Sequence, residues 1–201
     1  IKNKVNIMTF DTQLLNKSRQ NLQTYDELWV FGYGSLIYKV DFDFIERRPA
    51  NIYGYERRLW QGSSDHRGTI ERPGRVATLI PSANTACFGM AYKVNPTVFE
   101  HLDHREKNGY LREEIDIEFT SGPNVGQTVS GLVYMATPEN QAFLGEASID
   151  KLAMEIYTSR GPSGENKHYV YDLAESLREY GVNDEHILAV ERALRALGSD
   201  I

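Results

Sequence analysis

Leu28-Trp29-Val30-Phe31-Gly32-Tyr33-Gly34-Ser35-Leu36 is the stretch on which the reading of this chain turns. The run Leu28 to Phe31 is apolar, β-branched and aromatic, and reads as a buried strand. It breaks at once into two glycines one residue apart, which let a backbone turn sharply and approach a neighbour closely. Such a loop is either a plain strand-ending turn or a cradle that aims backbone N–H groups at an anion or a developing oxyanion. It is not a phosphate loop, because no Gly-Lys-Ser/Thr follows. Nor is it a dinucleotide fingerprint, because Ser35-Leu36-Ile37 supplies no third glycine.

Outward from this stretch, strands are expected over Ile52 to Trp60, Arg75 to Ile80 and Thr85 to Val94, the last two joined as a hairpin by Pro81-Ser82-Ala83-Asn84. Two more are expected over Ile115 to Phe119 and Thr128 to Ala136. Between the first two of these strands lies a long polar loop, Gln61 to Gly74. It contains Ser63-Ser64-Asp65-His66-Arg67, but neighbours in sequence rarely face one another, and no nucleophile-elbow pattern makes this a hydrolase triad. Asn95-Pro96 opens a helix that runs to about Lys107 and stops before Asn108-Gly109. Helices about Ser148–Ser159, Tyr169–Tyr180 and Asp184–Leu197 close the chain. Strands first and helices last predict an α+β domain with a curved mixed sheet or small β-barrel. Residues 1–27 form a polar lead-in with one short helix around Asp11–Leu22, and residues 28–201 are read as a single domain.

One carboxylate is out of place on the helix that ends at Lys107. Its apolar positions are Val98, Phe99 and Leu102, and at about 100° per residue that stripe continues through Glu106. A glutamate held there loses solvent, which raises its pKa toward the range of a general base or acid. The competing reading is a glutamate in a fraying last turn, solvated or paired with Arg105.

Composition narrows the function. With 201 residues the chain is long enough for a substantial core. The net charge of −6 argues against a general nucleic-acid or membrane-surface binder. Cys87 is the only cysteine. It excludes an internal disulfide, points to a reducing compartment, and sits in an apolar run that suits a buried inert thiol. No run approaches the roughly 20 apolar residues of a membrane helix. Residues 1–27 lack the apolar core of a signal peptide, so a cytoplasmic location is expected. His101 and His104 lie three apart without further ligands in pattern, and no metal or cofactor is expected.

Taken together, the blocks resemble the ChaC-type γ-glutamylcyclotransferases specific for glutathione. The resemblance rests on Val30 to Ile37, Arg57 to Ser63, Asp65-His66-Arg67-Gly68 and Pro73-Gly74-Arg75-Val76. It continues through Leu102 to Tyr110 and Gly161 to Asn166, and covers residues 28–195. Tyr38, Ile70 and His168 depart from the family pattern at what would be the pocket rim. The resemblance implies a γ-glutamylcyclotransferase-like fold and one reaction. The α-amine of the γ-glutamyl group attacks its own γ-carbonyl, 5-oxoproline closes, and Cys-Gly leaves, with glutathione as the small-molecule substrate.

The family's catalytic glutamate falls on Glu106. Backbone of Val30, Phe31, Gly32, Tyr33, Gly34, Ser35 and Leu36 would bind the substrate, and the N–H groups from Tyr33 to Leu36 would receive the oxyanion. Arg67 and Tyr110 would grip substrate carboxylates or pack on its stem, or else serve the fold. A sister cyclotransferase acting on other γ-glutamyl amino acids or γ-glutamylamines would share the loop and the glutamate. A non-catalytic binding module on the same fold would not need Glu106 shifted. The oligomeric state is left open.

Overall fold

The computed structural model describes residues 11–199. Residues 1–10 of the lead-in and the last two positions of the expected domain therefore lie outside the described residues. The elements are α1 (Gln13–Arg19), β1 (Leu28–Gly32), β2 (Glu46–Ser63), β3 (Gly74–Val94), α2 (Val98–Arg105), β4 (Leu111–Phe119), β5 (Thr128–Met135), α3 (Ile149–Thr158), the two-residue strands β6 (Arg160–Gly161) and β7 (Gly164–Glu165), α4 (Asn166–Glu179) and α5 (Glu185–Ser199). Five strands close into a barrel in the order β1-β3-β2-β4-β5. All neighbours are antiparallel except β1 and β5, which close the barrel in parallel through Val30 opposite Leu132 and Phe31 opposite Val133. The expected α+β small barrel is the observed architecture.

Strand β1 is apolar on both faces because it is paired on both edges and packed on both sides. Phe31 enters the cluster that holds Ile52, Val133 and helices α3 to α5. Val30 enters a second cluster with Met90, Tyr92, Leu132 and α2's Phe99 and Leu102. The glycine loop begins where these two clusters meet, with Tyr33 in the first and Leu36 in the second.

The expected hairpin at Pro81–Asn84 does not form. Both halves of β3 pair with the same partner, β2, and the register shifts between Tyr53, opposite Ala86, and Tyr55, opposite Pro81. Asn84 (φ 61°) and Gly54 (φ 83°) adopt the left-handed conformation at this bend, where glycine and asparagine are the residues that tolerate it. The chain bends and continues instead of folding back. The buried face also changes along β2 at this bend: Ile52 is buried before it, and Arg57, Leu59 and Gln61 after it. Tyr53 is therefore exposed and does not share a face with Leu59. Gln61 to Ser63 belong to β2, so the polar loop starts at Ser64. Cys87 is buried, and that burial pushes its thiol pKa up. No helix among the described residues is long and apolar enough to cross a membrane.

One half-buried titratable group ties α5 to the barrel. His186 Nε2 accepts the Leu59 N–H at 3.0 Å. Desolvation, helped by Arg58, lowers the imidazole pKa to about 4. The unfolded imidazole takes up a proton near its ordinary value while the folded one does not, so this contribution is complete above about pH 6.5 and is lost as pH falls toward 4. Urea unfolding at pH 7 and pH 4 is expected to show wild type losing up to about 3 kcal/mol more than His186→Gln. Equal losses would remove His186 as the cause.

Candidate active site

The loop after β1 forms one wall of a cavity of about 250 Å³. Its glycines are needed for close approach: a Cβ on Gly32 would lie 2.4 Å from Leu36 Cβ, and one on Gly34 would lie 2.8 Å from the Tyr169 hydroxyl. Ser35 to Ile37 form a single 3-10 turn. The first N–H groups of such a turn have no partner inside it. Among the described residues, the N–H groups of Tyr33, Gly34, Ser35 and Leu36 have no intramolecular acceptor.

Glu106 lines the same cavity. Phe99 and Leu102 anchor α2 with fully buried side chains, each contributing about 1.5–3 kcal/mol. Glu106 follows one turn later as the C-cap residue, its N–H bonded to the Leu102 carbonyl at 2.8 Å. The expected helix is shorter than its sequence pattern, because Asn95 accepts from the Thr97 N–H and makes a turn of Pro96-Thr97. The side chain of Glu106 is 20% exposed. Desolvation raises its pKa above the ordinary carboxylate value, while Arg105 and His66 pull it down and Asp65 and Asp41 push it up.

Arg105 organises this part of the lining. Its Nε lies 3.4 Å from Glu106 Oε1, Nη2 donates to Ser35 Oγ at 2.7 Å, and Nη1 pairs with Asp41 at 2.5 Å. One guanidinium thus links the carboxylate to the glycine loop.

Four tyrosines line the remaining space. Tyr33 donates to the Tyr134 carbonyl (2.7 Å), Tyr110 to the Ala77 carbonyl (2.7 Å), and Tyr134 to Asp103 (2.6 Å). Burial first, and neighbouring acidic groups second, push the Tyr33 and Tyr110 hydroxyls well above the ordinary phenol range. Their protons are committed to these carbonyls, so Tyr110 offers its ring and not a free donor. Tyr169 differs. Its oxygen accepts the Ala77 N–H at 3.1 Å and its own proton has no acceptor among the described residues. Burial pushes its pKa up to about 12, so it stays protonated. Tyr169→Phe would orphan the buried Ala77 N–H, and a loss of about 1–3 kcal/mol in urea unfolding is expected. An unchanged midpoint would mean that water replaces the hydroxyl.

The loop after β2 is fastened to the turn between β6 and β7. The His66 carbonyl accepts the Ser163 N–H at 2.9 Å, and a Cβ on Gly161 would meet the His66 carbonyl oxygen at 2.4 Å. Arg67 donates its N–H to Ser63 Oγ (2.9 Å) and its Nη1 to the Glu165 carbonyl (3.1 Å), with its guanidinium 5.9 Å from the Tyr169 ring. Ser63 is thereby committed to the backbone, and no Asp-His-Ser relay forms within this loop.

Of the residues expected at the site, Phe31, Gly32, Tyr33, Gly34, Ser35, Leu36, Arg67, Glu106 and Tyr110 line the one cavity. Val30 does not: alternation along the strand turns it into the second cluster. Sequence reasoning missed Lys39, Asp41, Arg105, Tyr134 and Tyr169, which also line the cavity. Arg105 had a signal in its adjacency to Glu106. Tyr169 had none, since its place depends on how α4 docks. Asp103 is buried against Tyr134 and Arg112.

This barrel, with Glu106 and the glycine loop lining one cavity, defines the class: the fold is that of the γ-glutamylcyclotransferases. A solved yeast γ-glutamyl cyclotransferase specific to glutathione matches it with a TM-score of 0.80 at 30% identity, covering 86% of this chain and 97% of that one. The chain belongs to the ChaC-like protein family, whose model matches residues 28–197. It is 41% identical over 177 residues to glutathione-specific γ-glutamylcyclotransferase 1 of Danio rerio, covering 84% of this chain and 89% of that protein. It is 38% identical over 181 residues to γ-glutamylcyclotransferase 2-3 of Arabidopsis thaliana, covering 86% and 91%.

Proposed function

We infer that this protein is a glutathione-specific γ-glutamylcyclotransferase in which Glu106 is the general base. The observation that carries the reading is the enclosure, in one cavity, of a desolvated carboxylate and a loop with unclaimed N–H groups. An α-amine has a pKa of about 8 and is largely protonated at neutral pH. A carboxylate of raised pKa takes that proton and later passes one to the leaving nitrogen. The amine nitrogen bonds to the γ-carbonyl carbon, the carbon–nitrogen bond to cysteine breaks, and the products are 5-oxoproline and Cys-Gly. No water is consumed.

As the ring closes, the γ-carbonyl oxygen gains charge, which the N–H groups of Tyr33 to Leu36 receive. The attack is intramolecular, so the protein mainly folds the substrate into a reactive shape. Glutathione carries two carboxylates; Lys39 and Arg67 at the cavity supply the positive charge to hold them.

The test is incubation of purified protein with glutathione, and separately with γ-glutamyl dipeptides and γ-glutamylamines, measuring 5-oxoproline. Turnover of glutathione far above the others is expected. Preference for another γ-glutamyl compound would move the protein to a sister specificity, and silence throughout would leave a binding module.

A further inference from the structure

Residues 12–20 lie outside the family match, yet they hold the backbone just beyond Glu106. The carbonyl of Lys107, next to Glu106, receives the Thr12 N–H (2.8 Å), Thr12 Oγ1 (3.0 Å) and the Gly109 N–H (2.9 Å). The carbonyl of Tyr110 receives Thr12 Oγ1 (2.7 Å) and Asn16 Nδ2 (3.0 Å), so one hydroxyl bridges both carbonyls. The Arg112 N–H donates to Asn16 Oδ1 (2.8 Å).

The pattern at Asn16 has a definite meaning. Strand β4 pairs with β5 along one edge, but on its other edge only Glu118 and Phe119 pair with β2. At residues 110–112 that edge has no strand neighbour. The Asn16 amide gives one donor to the Tyr110 carbonyl and one acceptor to the Arg112 N–H, as the backbone of a parallel strand residue opposite Leu111 would do. Asn16 is fully buried although it sits on a polar seven-residue helix. Burying an amide is costly unless it is bonded, and here both ends of the amide are.

We propose that Thr12 and Asn16 are positioning residues of the active site, and that α1 is a brace fixing the segment from Glu106 to Tyr110 against the cavity. The proposal rests on the reading of Glu106 as the base. Loss of the brace lets the chain after Glu106 move, and a displacement of about 1 Å at a reacting group costs on the order of a hundredfold in rate.

The test compares Asn16→Ala, Thr12→Val and Thr12→Ser with wild type in two readouts. One is kcat and KM on glutathione. The other is titration of the Glu106 side chain by 13C NMR, assigned with Glu106→Gln. Asn16→Ala and Thr12→Val are expected to lower kcat by about ten- to a hundredfold with KM little changed. They are also expected to move the Glu106 titration toward an ordinary glutamate, as water enters among the charged and titratable groups that face it, Arg105, Asp41, Asp65 and His66. Thr12→Ser keeps the hydroxyl and is expected to match wild type.

Leu194→Ala, in the buried face of α5, serves as a control for lost stability alone. If Asn16→Ala does not fold, Thr12→Val carries the comparison. Unchanged kcat and titration in folded variants would overturn the proposal, as would a kcat loss no larger than that of Leu194→Ala. A wild type that cyclises nothing would sink the functional reading, and the titration would still decide the brace.

Discussion

Glu106→Gln is expected to lower kcat on glutathione by about 10²- to 10⁴-fold while leaving KM nearly unchanged. Glutamine keeps the size of the side chain but accepts no proton at neutral pH. The same substitution has an opposite and separable effect on stability. Burial raises the folded pKa of Glu106 above its ordinary value of 4.5. The native state then binds the proton more tightly than the unfolded chain, so wild-type stability falls as pH rises from about 4.5 through the raised value. Glutamine removes this penalty. The variant is expected to melt higher than wild type at pH 7, with the advantage vanishing below about pH 4.5. An inactive variant that is also less stable at pH 7 would mean that Arg105 and His66 outweigh desolvation, contrary to the account.

Gly32→Ala is expected to be the most damaging single methyl group in the loop. The added Cβ would lie 2.4 Å from Leu36 Cβ and 3.2 Å from its Cδ1. Leu36 is only 6% exposed and packs with Met90, Tyr92 and Leu132, so it yields only if the loop backbone moves. Moving that backbone re-aims the N–H groups of Tyr33 to Leu36. Each donor to a developing oxyanion is worth about 3–4 kcal/mol. A kcat reduced by at least about 10²-fold in a folded protein follows, checked by steady-state kinetics alongside circular dichroism. Gly198→Ala, where a Cβ meets nothing within 4 Å on helix α5, is expected to leave kcat unchanged. Wild-type kcat in Gly32→Ala would remove the loop from the mechanism.

What could be read from the sequence was local. Strand β1 and its glycine loop announce themselves through an apolar run and two glycines, and Glu106 through a helical period that places it on a buried stripe. What could not be read depends on partners far away in sequence. The bend in β3 looks like a hairpin turn until β2 is seen to accompany both halves. Helix α4 begins three residues earlier than its apolar pattern suggests. Its first residue, Asn166, is buried and exchanges two hydrogen bonds with the Arg75 backbone (2.7 and 2.8 Å). Polar anchors of this kind leave no periodic trace. Tyr169 reaches the glycine loop only because that anchor sets the start of α4, and Asn16 reads as an ordinary helix residue until the open edge of β4 is in view.

The central claim is that ring closure occurs by internal attack, with Glu106 moving the proton and no water entering the products. The direct measurement is turnover of glutathione in H2¹⁸O, with mass analysis of both products. The account predicts Cys-Gly and 5-oxoproline in equal amounts and no ¹⁸O in either. Labelled free glutamate in place of unlabelled 5-oxoproline would show hydrolysis and contradict it.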